Sequence, residues 1–326
     1  MRSAWGVAAF LVLAGQASGQ LTQVAQFPTG ASSVGLGFDW ENDVVVTYPS
    51  FGAVLKRYSG VGSPMSDLAR PGGSANDADV DIAKGAFMLG GSPVPAGTVL
   101  YIDGESGVAE VYAVSSSGTV IASLVTAFGT SHVVGGAFHP GRGTLFLLQD
   151  KVPGGTGTNR VAEIDPATGG VLQTWQVTAS RPTFTVNFGD LDVGGNGNVF
   201  IVSSDEETVG EFTPTGAFVA EHALPSGVTS LCGIGFDATR CEAWVLNTSG
   251  VASKLAGFPS TVCPPPCDPD VNQDGNVDQD DVTYLINVVG GGANPTGIDP
   301  DFNQDGNVDQ DDVSALINTV GGGGCP

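Results

Sequence analysis

Residues 134–175 carry four short apolar runs in succession: Val134-Gly-Gly-Ala-Phe-His-Pro140, Thr144-Leu-Phe-Leu-Leu148, Arg160-Val-Ala-Glu-Ile-Asp165 and Val171-Leu-Gln-Thr-Trp175. Each is short and carries β-branched or aromatic residues, and Gly, Pro, Asp or Asn stand between them. That pattern predicts four strands joined by turns. The same order recurs downstream in Gly189-Asp-Leu-Asp-Val193, Asn198-Val-Phe-Ile-Val202, Thr208-Val-Gly-Glu-Phe212 and Phe218-Val-Ala-Glu-His222. A third unit runs Gly233-Ile-Gly-Phe-Asp237, Cys241-Glu-Ala-Trp-Val-Leu246 and Ala252-Ser-Lys-Leu255. Upstream, Gly35-Leu-Gly-Phe-Asp39 with Asp43-Val-Val-Val-Thr47 opens a fourth. Ala78-Asp-Val-Asp81 with Val99-Leu-Tyr-Ile-Asp103 opens a fifth, interrupted by an insertion near Gly90–Gly97.

The units recur every ~40–50 residues, the length of a four-stranded propeller blade. The prediction for residues 20–260 is therefore a mainly β domain, a five- to six-bladed β-propeller, with a pair of packed sheets as the alternative. The last unit is one strand short. Leu21-Thr-Gln-Val-Ala-Gln-Phe27 would supply the missing strand and close the ring between the two ends. The units loosely resemble NHL or lactonase-type blades.

Composition agrees with a turn-rich β protein: 49 Gly and 20 Pro in 326 residues, with charged residues at 14%. The formal net charge of -23 excludes the basic footprint of a nucleic-acid binder. At the N-terminus, Arg2, the apolar stretch Trp5–Ala14 and the small residues Ala17-Ser18-Gly19 read as a signal peptide over residues 1–19, leaving Gln20 first in the mature chain. No later segment is long and apolar enough to span a bilayer. A secreted, extracellular or cell-surface location follows, and disulfides with it. Of the five Cys, Cys232 and Cys241 lie across a predicted hairpin and are expected to pair. Cys267 and Cys325 bracket the tail as a second pair, and Cys263 is left as the odd thiol.

The tail holds a second repeat. Asp268–Asn287 reads DPDVNQDGNVDQDDVTYLIN and Asp299–Asn318 reads DPDFNQDGNVDQDDVSALIN, 17 of 20 positions being identical. Residues 263–326 contain twelve Asp and no Lys, Arg, His or Glu, a density that repels itself unless cations sit among the carboxylates. Each copy has EF-hand loop spacing, at 270–281 and 301–312. In the first, Asp270, Asn272 and Asp274 supply side-chain oxygens and Gly275 the sharp turn. Asn276 offers its carbonyl, Asp278 acts through water, and Asp281 closes the site. The second series is Asp301, Asn303, Asp305, Gly306, Asn307, Asp309 and Asp312. Closure by Asp in place of Glu draws the loop tighter or loses a ligand. Val277 and Val308, at the eighth position, are expected to pair in a short β-bridge. After each loop the apolar residues Val282, Leu285, Ile286 and Val289, and then Val313, Leu316, Ile317 and Val320, have helical spacing, stopped by Gly290 and Gly321.

Loop plus following helix, twice, with Asp closing, resembles the type I dockerin repeat. The thrombospondin type 3 repeat shares the Asp-x-Asn-x-Asp-Gly run but lacks the helical period. The dockerin resemblance covers about sixty residues, 268–326, behind a Pro/Cys linker at 261–267. It implies a small α-helical domain organised by two calcium ions and docking onto a cohesin-like partner, with Gln279-Asp280 and Gln310-Asp311 at the partner-reading places.

For the main domain, Asp39, Asp81, His139, Asp192 and Asp237 are read as equivalent positions after the first strand of each unit. The Asp residues serve there as turn caps, and His139 stands out as the residue to test for catalysis. No nucleophile elbow, His-Glu-x-x-His helix or phosphate loop occurs, so catalytic residues are unassigned. The functional expectation is a secreted calcium-binding protein whose propeller recognises a polysaccharide or surface partner. The alternative is a carbohydrate-active enzyme, a glycosyl hydrolase or lactonase, tethered by its dockerin.

Overall fold

The computed structural model describes residues 20–105, 107–151, 159–237, 239–259, 261–263, 268–298, 300–303 and 307–322. Strand β1 (Thr22–Pro28) comes first and is used last. The first blade is β2 (Ser33–Asp39), β3 (Val44–Pro49), β4 (Val54–Ser59) and β5 (Leu68–Ala69). The second is β6 (Ala78–Ile82), an inserted hairpin of β7 (Phe87–Leu89) and β8 (Ser92–Val94), then β9 (Val99–Asp103), β10 (Glu110–Val114) and β11 (Val120–Val125). The third is β12 (Val133–His139), β13 (Thr144–Gln149), β14 (Arg160–Ile164) and β15 (Val171–Gln176), followed by the single turn α1 (Val177–Ser180). The fourth is β16 (Asp190–Val193), β17 (Val199–Val202), β18 (Thr208–Phe212) and β19 (Phe218–Ala223). The fifth is β20 (Leu231–Asp237), β21 (Glu242–Asn247) and β22 (Val251–Ala256), completed by β1.

This is a five-bladed propeller. Within each blade the strands are antiparallel. The innermost strands β2, β6, β12, β16 and β20 pack side by side in a closed ring. β6, β12, β16 and β20 are buried along their whole length, whereas the outermost β11 and β15 are largely exposed. A strand buried on both faces needs a continuous apolar or small-residue run, which is why the units read as they do. Apolar layers between neighbouring blades hold the ring. Ile102, Val111, Phe138 and Leu147 fill one such layer, and Phe146, Phe184, Ile201 and Phe212 another. Each such side chain contributes ~1.5–3 kcal/mol on burial. The ring is closed as expected: β1 pairs with β22, from Thr22↔Ala256 to Pro28↔Val251.

The cysteine expectation needs correction. Cys241 is bonded to Cys263, with Cα atoms 5.4 Å apart, and among the described residues the buried Cys232 is the free thiol. The hairpin register explains this. β20 pairs Leu231 with Asn247 and Asp237 with Glu242, so Cys232 and Cys241 stand at opposite ends of the hairpin. Cys267 and Cys325 lie outside the described residues, as do residues 1–19.

In the tail, α2 (Gln279–Val289) and α3 (Gln310–Val320) follow the two loops. Each opens on a capping box, Asp278 with Asp281 and Asp309 with Asp312. Their shared core is Val271, Leu285, Phe302, Val313 and Leu316, with Val282, Val289 and Val320 against it. Ile286 and Ile317 face outward, each 53% exposed. One expectation fails here. Val277 and Val308 form no β-bridge and are 49% and 50% exposed. Among the described residues no helix is long and apolar enough to cross a membrane.

Candidate functional site

The first acidic loop curls its oxygens inward around its own backbone. Asp274 N–H donates to Asp270 Oδ1 at 3.1 Å and to Asn272 Oδ1 at 2.9 Å. Gly275 N–H donates to Asp270 Oδ2 at 2.9 Å, and Asn276 N–H to Asp274 Oδ1 at 2.9 Å. Gly275 has φ +92°, the left-handed turn that a side chain would resist. Asp281 reaches back from the helix start. Its Oδ1 accepts from Asn272 N–H at 3.1 Å and its Oδ2 from Asp278 N–H at 2.9 Å. Asp278 Oδ1 caps the helix, accepting from Asp280 N–H at 2.8 Å. The second loop repeats this where described. Asp312 accepts from Asn303 N–H at 3.0 Å and Asp309 N–H at 2.8 Å, and Asp309 from Asp311 N–H at 2.8 Å. Asp305 and Gly306 lie outside the described residues, while Asp301 and Asn307 lie within them.

The chemistry of this donor set fits a hard cation. Every side-chain donor is an oxygen, and Asp281 and Asp312 are wholly buried carboxylates in a segment with no Lys, Arg or His. Burying an unpaired charge is costly, so a cation is the natural complement. Among the described residues no three Asp, Glu, His or Cys side chains converge closely enough to grip an ion by themselves. The expected set also draws on Asn272, the carbonyl of Asn276 and water.

The propeller axis is filled by carboxyl groups. At matching positions the five inner strands carry Gly35 and Gly37, Asp79 and Asp81, Gly135 and Ala137, Asp190 and Asp192, Gly233 and Gly235. All four Asp are buried. They bridge blades: Gly136 N–H donates to Asp79 at 2.8 Å, Phe138 N–H to Asp81 at 3.3 Å, Ile234 N–H to Asp190 at 2.8 Å and Phe236 N–H to Asp192. Inner strands of adjacent blades share no ladder, so these carboxyls satisfy N–H groups that would otherwise be orphaned. The glycines make room: a Cβ on Gly35 would lie 2.3 Å from Asp79 Oδ1. Asp79 and Asp190 interact across the axis. Burial pushes both carboxyls well above the ordinary range, as it does Asp81, which Asp192 raises further. Lys84 reaches across the axis to Asp192 and to Val193 O.

These observations correct the expected rim. Asp81 and Asp192 stand two positions earlier than Asp39, His139 and Asp237, inside the axis. Asp39 and Asp237 do cap turns, accepting from Asn42 N–H at 3.2 Å and Thr239 N–H at 3.0 Å. His139 is buried, and its Nε2–H donates to Gly197 O at 2.9 Å, tying the third blade to the fourth. It is 5% exposed, and burial lowers its pKa. His222 likewise bonds Glu211 inside the fourth blade at 2.9 Å.

Composition and spacing gave no hint of His132. It stands just before β12 on the face where the inner strands begin. Its Nδ1 lies 3.2 Å from Asp77 Oδ2 and 3.4 Å from Asp150 Oδ1. Burial raises the pKa of Asp77, and it raises that of Asp150 to about 6, with the Asp77 charge adding to it. Asp150 Oδ2 accepts from Phe188 N–H at 3.0 Å, and Glu105 Oε2 from Asp77 N–H at 2.8 Å. A signal for this trio would be polar residues flanking the inner strands, too common in loops to single out.

No curated protein matches the sequence. Solved structures similar to the chain include a streptogramin B lyase, at 12% identity and TM-score 0.41 over 70% of this chain, spanning just 66% of that one. A gluconolactonase from Xanthomonas campestris is similar at 14% identity and TM-score 0.45, over 71% of this chain and 88% of that one. Regucalcin, a calcium-binding protein from Agrobacterium tumefaciens, is similar at 13% identity and TM-score 0.44, over 72% and 94%. Behind the five-bladed propeller, residues 268–321 match the family model of the dockerin type I domain, a calcium-binding module.

Proposed function

We propose that the chain is an exported two-part protein: a ligand-binding propeller held in place by a calcium-organised docking module. Two ions are taken up, one by Asp270, Asn272, Asp274, the Asn276 carbonyl, Asp281 and, through water, Asp278. The other is taken up by Asp301, Asn303, Asp305, the Asn307 carbonyl, Asp312 and, through water, Asp309. Calcium offsets the repulsion of twelve carboxylates and orders α2 and α3, whose outer faces then meet a cohesin-like partner. Gln279-Asp280 and Gln310-Asp311 are duplicated at the two helix starts, and Ile286 and Ile317 are exposed alike, so two equivalent docking faces are offered. The propeller's part is recognition of a polysaccharide or surface partner.

The observation that carries this reading is the pair of wholly buried closing carboxylates, Asp281 and Asp312, in a segment without a basic residue. Calorimetric titration of the full chain with calcium tests it. The expected result is two ions per chain, and none after Asp274→Ala with Asp305→Ala. Uptake unaffected by the double change would overturn the assignment.

A further inference from the structure

We infer that the polar mouth of the propeller, where the inner strands begin, is a binding site for a neutral sugar ring, with Asp77, His132 and Asp150 holding its hydroxyls and Phe188 its apolar face. This deepens, and rests on, the reading of the propeller as the ligand-binding part. The mouth is built on a repeated bond: a residue one or two places past each second strand donates to the carbonyl of a residue one to three places ahead of each first strand. Ser50 N–H bonds Ser32 O, Gly104 bonds Asp77, Asp150 bonds His132, Ser204 bonds Asn187 and Thr248 bonds Ser230. Those paired positions carry hydroxyl, carboxyl, imidazole or amide groups, apart from Gly104.

Three observations mark the mouth as more than a loop cluster. Asp150 Oδ1 is buried and, among the described residues, has no hydrogen bond, only the 3.4 Å approach of His132 Nδ1, while Oδ2 is held by Phe188 N–H. His132 has Nδ1 between two carboxylates, and no bond to Nε2 is found among the described residues, although the side chain is 28% exposed. Eight described non-glycine residues have positive φ, and four of them stand here: Phe51 (+56°), His132 (+60°), Phe188 (+45°) and Ser230 (+57°). Such strain persists only where surrounding structure enforces it, and it gathers at binding sites.

Phe51 and Phe188 are large and exposed, at 60% and 39%. Phe188 shares with Asn76 the wall of a small hollow among the starts of the inner strands, lined also by Val34, Ala78, Val134 and Cys232. A flat aromatic face beside acceptors and an amide is what a pyranose presents partners for: an apolar C–H face and a girdle of hydroxyl donors. The sign of charge selects further. Asp77, Asp150 and Glu105 gather around His132, while among the described residues Lys151 pairs with Asp205 and Arg70 bonds Gly52 O and Pro71 O. Uronates and sulfated glycans would meet repulsion here, and neutral rings would not.

The test is binding of the calcium-loaded full chain to a panel of neutral oligosaccharides, uronate oligomers and sulfated glycans. It is followed by the same titration on Phe188→Ala, Asp77→Asn and the isosteric Asp150→Asn, each checked for an unchanged melting transition. Neutral glycans are expected to bind, and each change to weaken binding by about tenfold or more, the worth of a charged hydrogen bond or a stacked ring. Asp150→Asn keeps the Phe188 N–H bond, so it reports on the ligand even if Asp77→Asn fails to fold. A neutral glycan bound with undiminished affinity by all three variants overturns this site while leaving the propeller's glycan role standing. Preference for uronate or sulfated glycans overturns the charge argument and the site with it. Absence of binding to every glycan overturns both.

Discussion

Replacing Gly35 by Ala tests whether the axis is as tightly closed as the carboxyl bridges require. Gly35 has φ +77°, and a Cβ there would meet Asp79 Oδ1 at 2.3 Å, Asp79 Cα at 2.6 Å and Val80 N at 2.8 Å. Two of these atoms are backbone and cannot swing away. Gly30 is the matched control: it has φ +79° and nothing within 4 Å of the same Cβ. Both variants carry the left-handed penalty of ~1–2 kcal/mol. Only Gly35→Ala adds overpacking, another ~1–3 kcal/mol. The expected loss is therefore ~1–2 kcal/mol for Gly30→Ala and ~2–5 kcal/mol for Gly35→Ala. For a domain of this size each kcal/mol lowers Tm by about 2–4 °C. Denaturant titration and thermal melting of both variants in parallel give the difference directly. Equal destabilisation would show that the inner strands do not approach each other as closely as the glycines imply.

Further outcomes follow from other parts of the molecule. Asp79, Asp81 and Asp190 have folded pKa values well above their ordinary 3.8, so the folded state holds protons that the unfolded chain releases. Their contribution is therefore fully present below about pH 4 and is lost as pH rises toward the raised values, each unit of elevation being worth about 1.4 kcal/mol. Melting temperature should fall from mildly acid to alkaline pH, and Asp190→Asn, which mimics the protonated carboxyl, should raise Tm at pH 8 and flatten that slope. A wild-type profile flat between pH 5 and 9 would contradict the raised carboxyls. Chelation, or Asp274→Ala with Asp305→Ala, should remove the helical circular-dichroism signal of the tail and spare the β signal. Cys241→Ser with Cys263→Ser opens a link spanning 22 residues and should cost about 3 kcal/mol in denaturant titration. His139→Ala should cost ~1–3 kcal/mol by orphaning Gly197 O, a loss read by melting with no accompanying change in ligand affinity.

The blades were legible because each strand must be apolar where it is buried and must stop at a residue that turns. Even the closing strand was foreseen, since a three-strand last unit needs a fourth from somewhere. The helices of the tail were legible from their apolar period, although the capping role of Asp278 and Asp309 was not. What escaped was whatever depends on register between elements. Cys232 and Cys241 are close in sequence, yet antiparallel pairing sends them to opposite ends of one hairpin. Asp81 and Asp192 look like the Asp that ends β2 or β20, but they stand two positions earlier and point to the centre. The signal was present as Asp-x-Asp in two units where two others have Gly-x-Gly, meaningful only once strands from different blades are known to touch. His132, Asp77 and Asp150 come from three separate loops, and nothing local joins them.

The pairing of β1 with β22 sets Thr22 against Ala256, 234 residues further along. During synthesis the first strand to emerge therefore has no mate until nearly the whole ring has been made, and its polar edge stays bare in the meantime. Closing so wide a circuit is the slow kind of folding event. A permuted chain in which β1 is moved to follow β22 would form its last blade from neighbours alone. Its refolding rate, compared with that of the natural order, would measure how long the ring waits for its final strand.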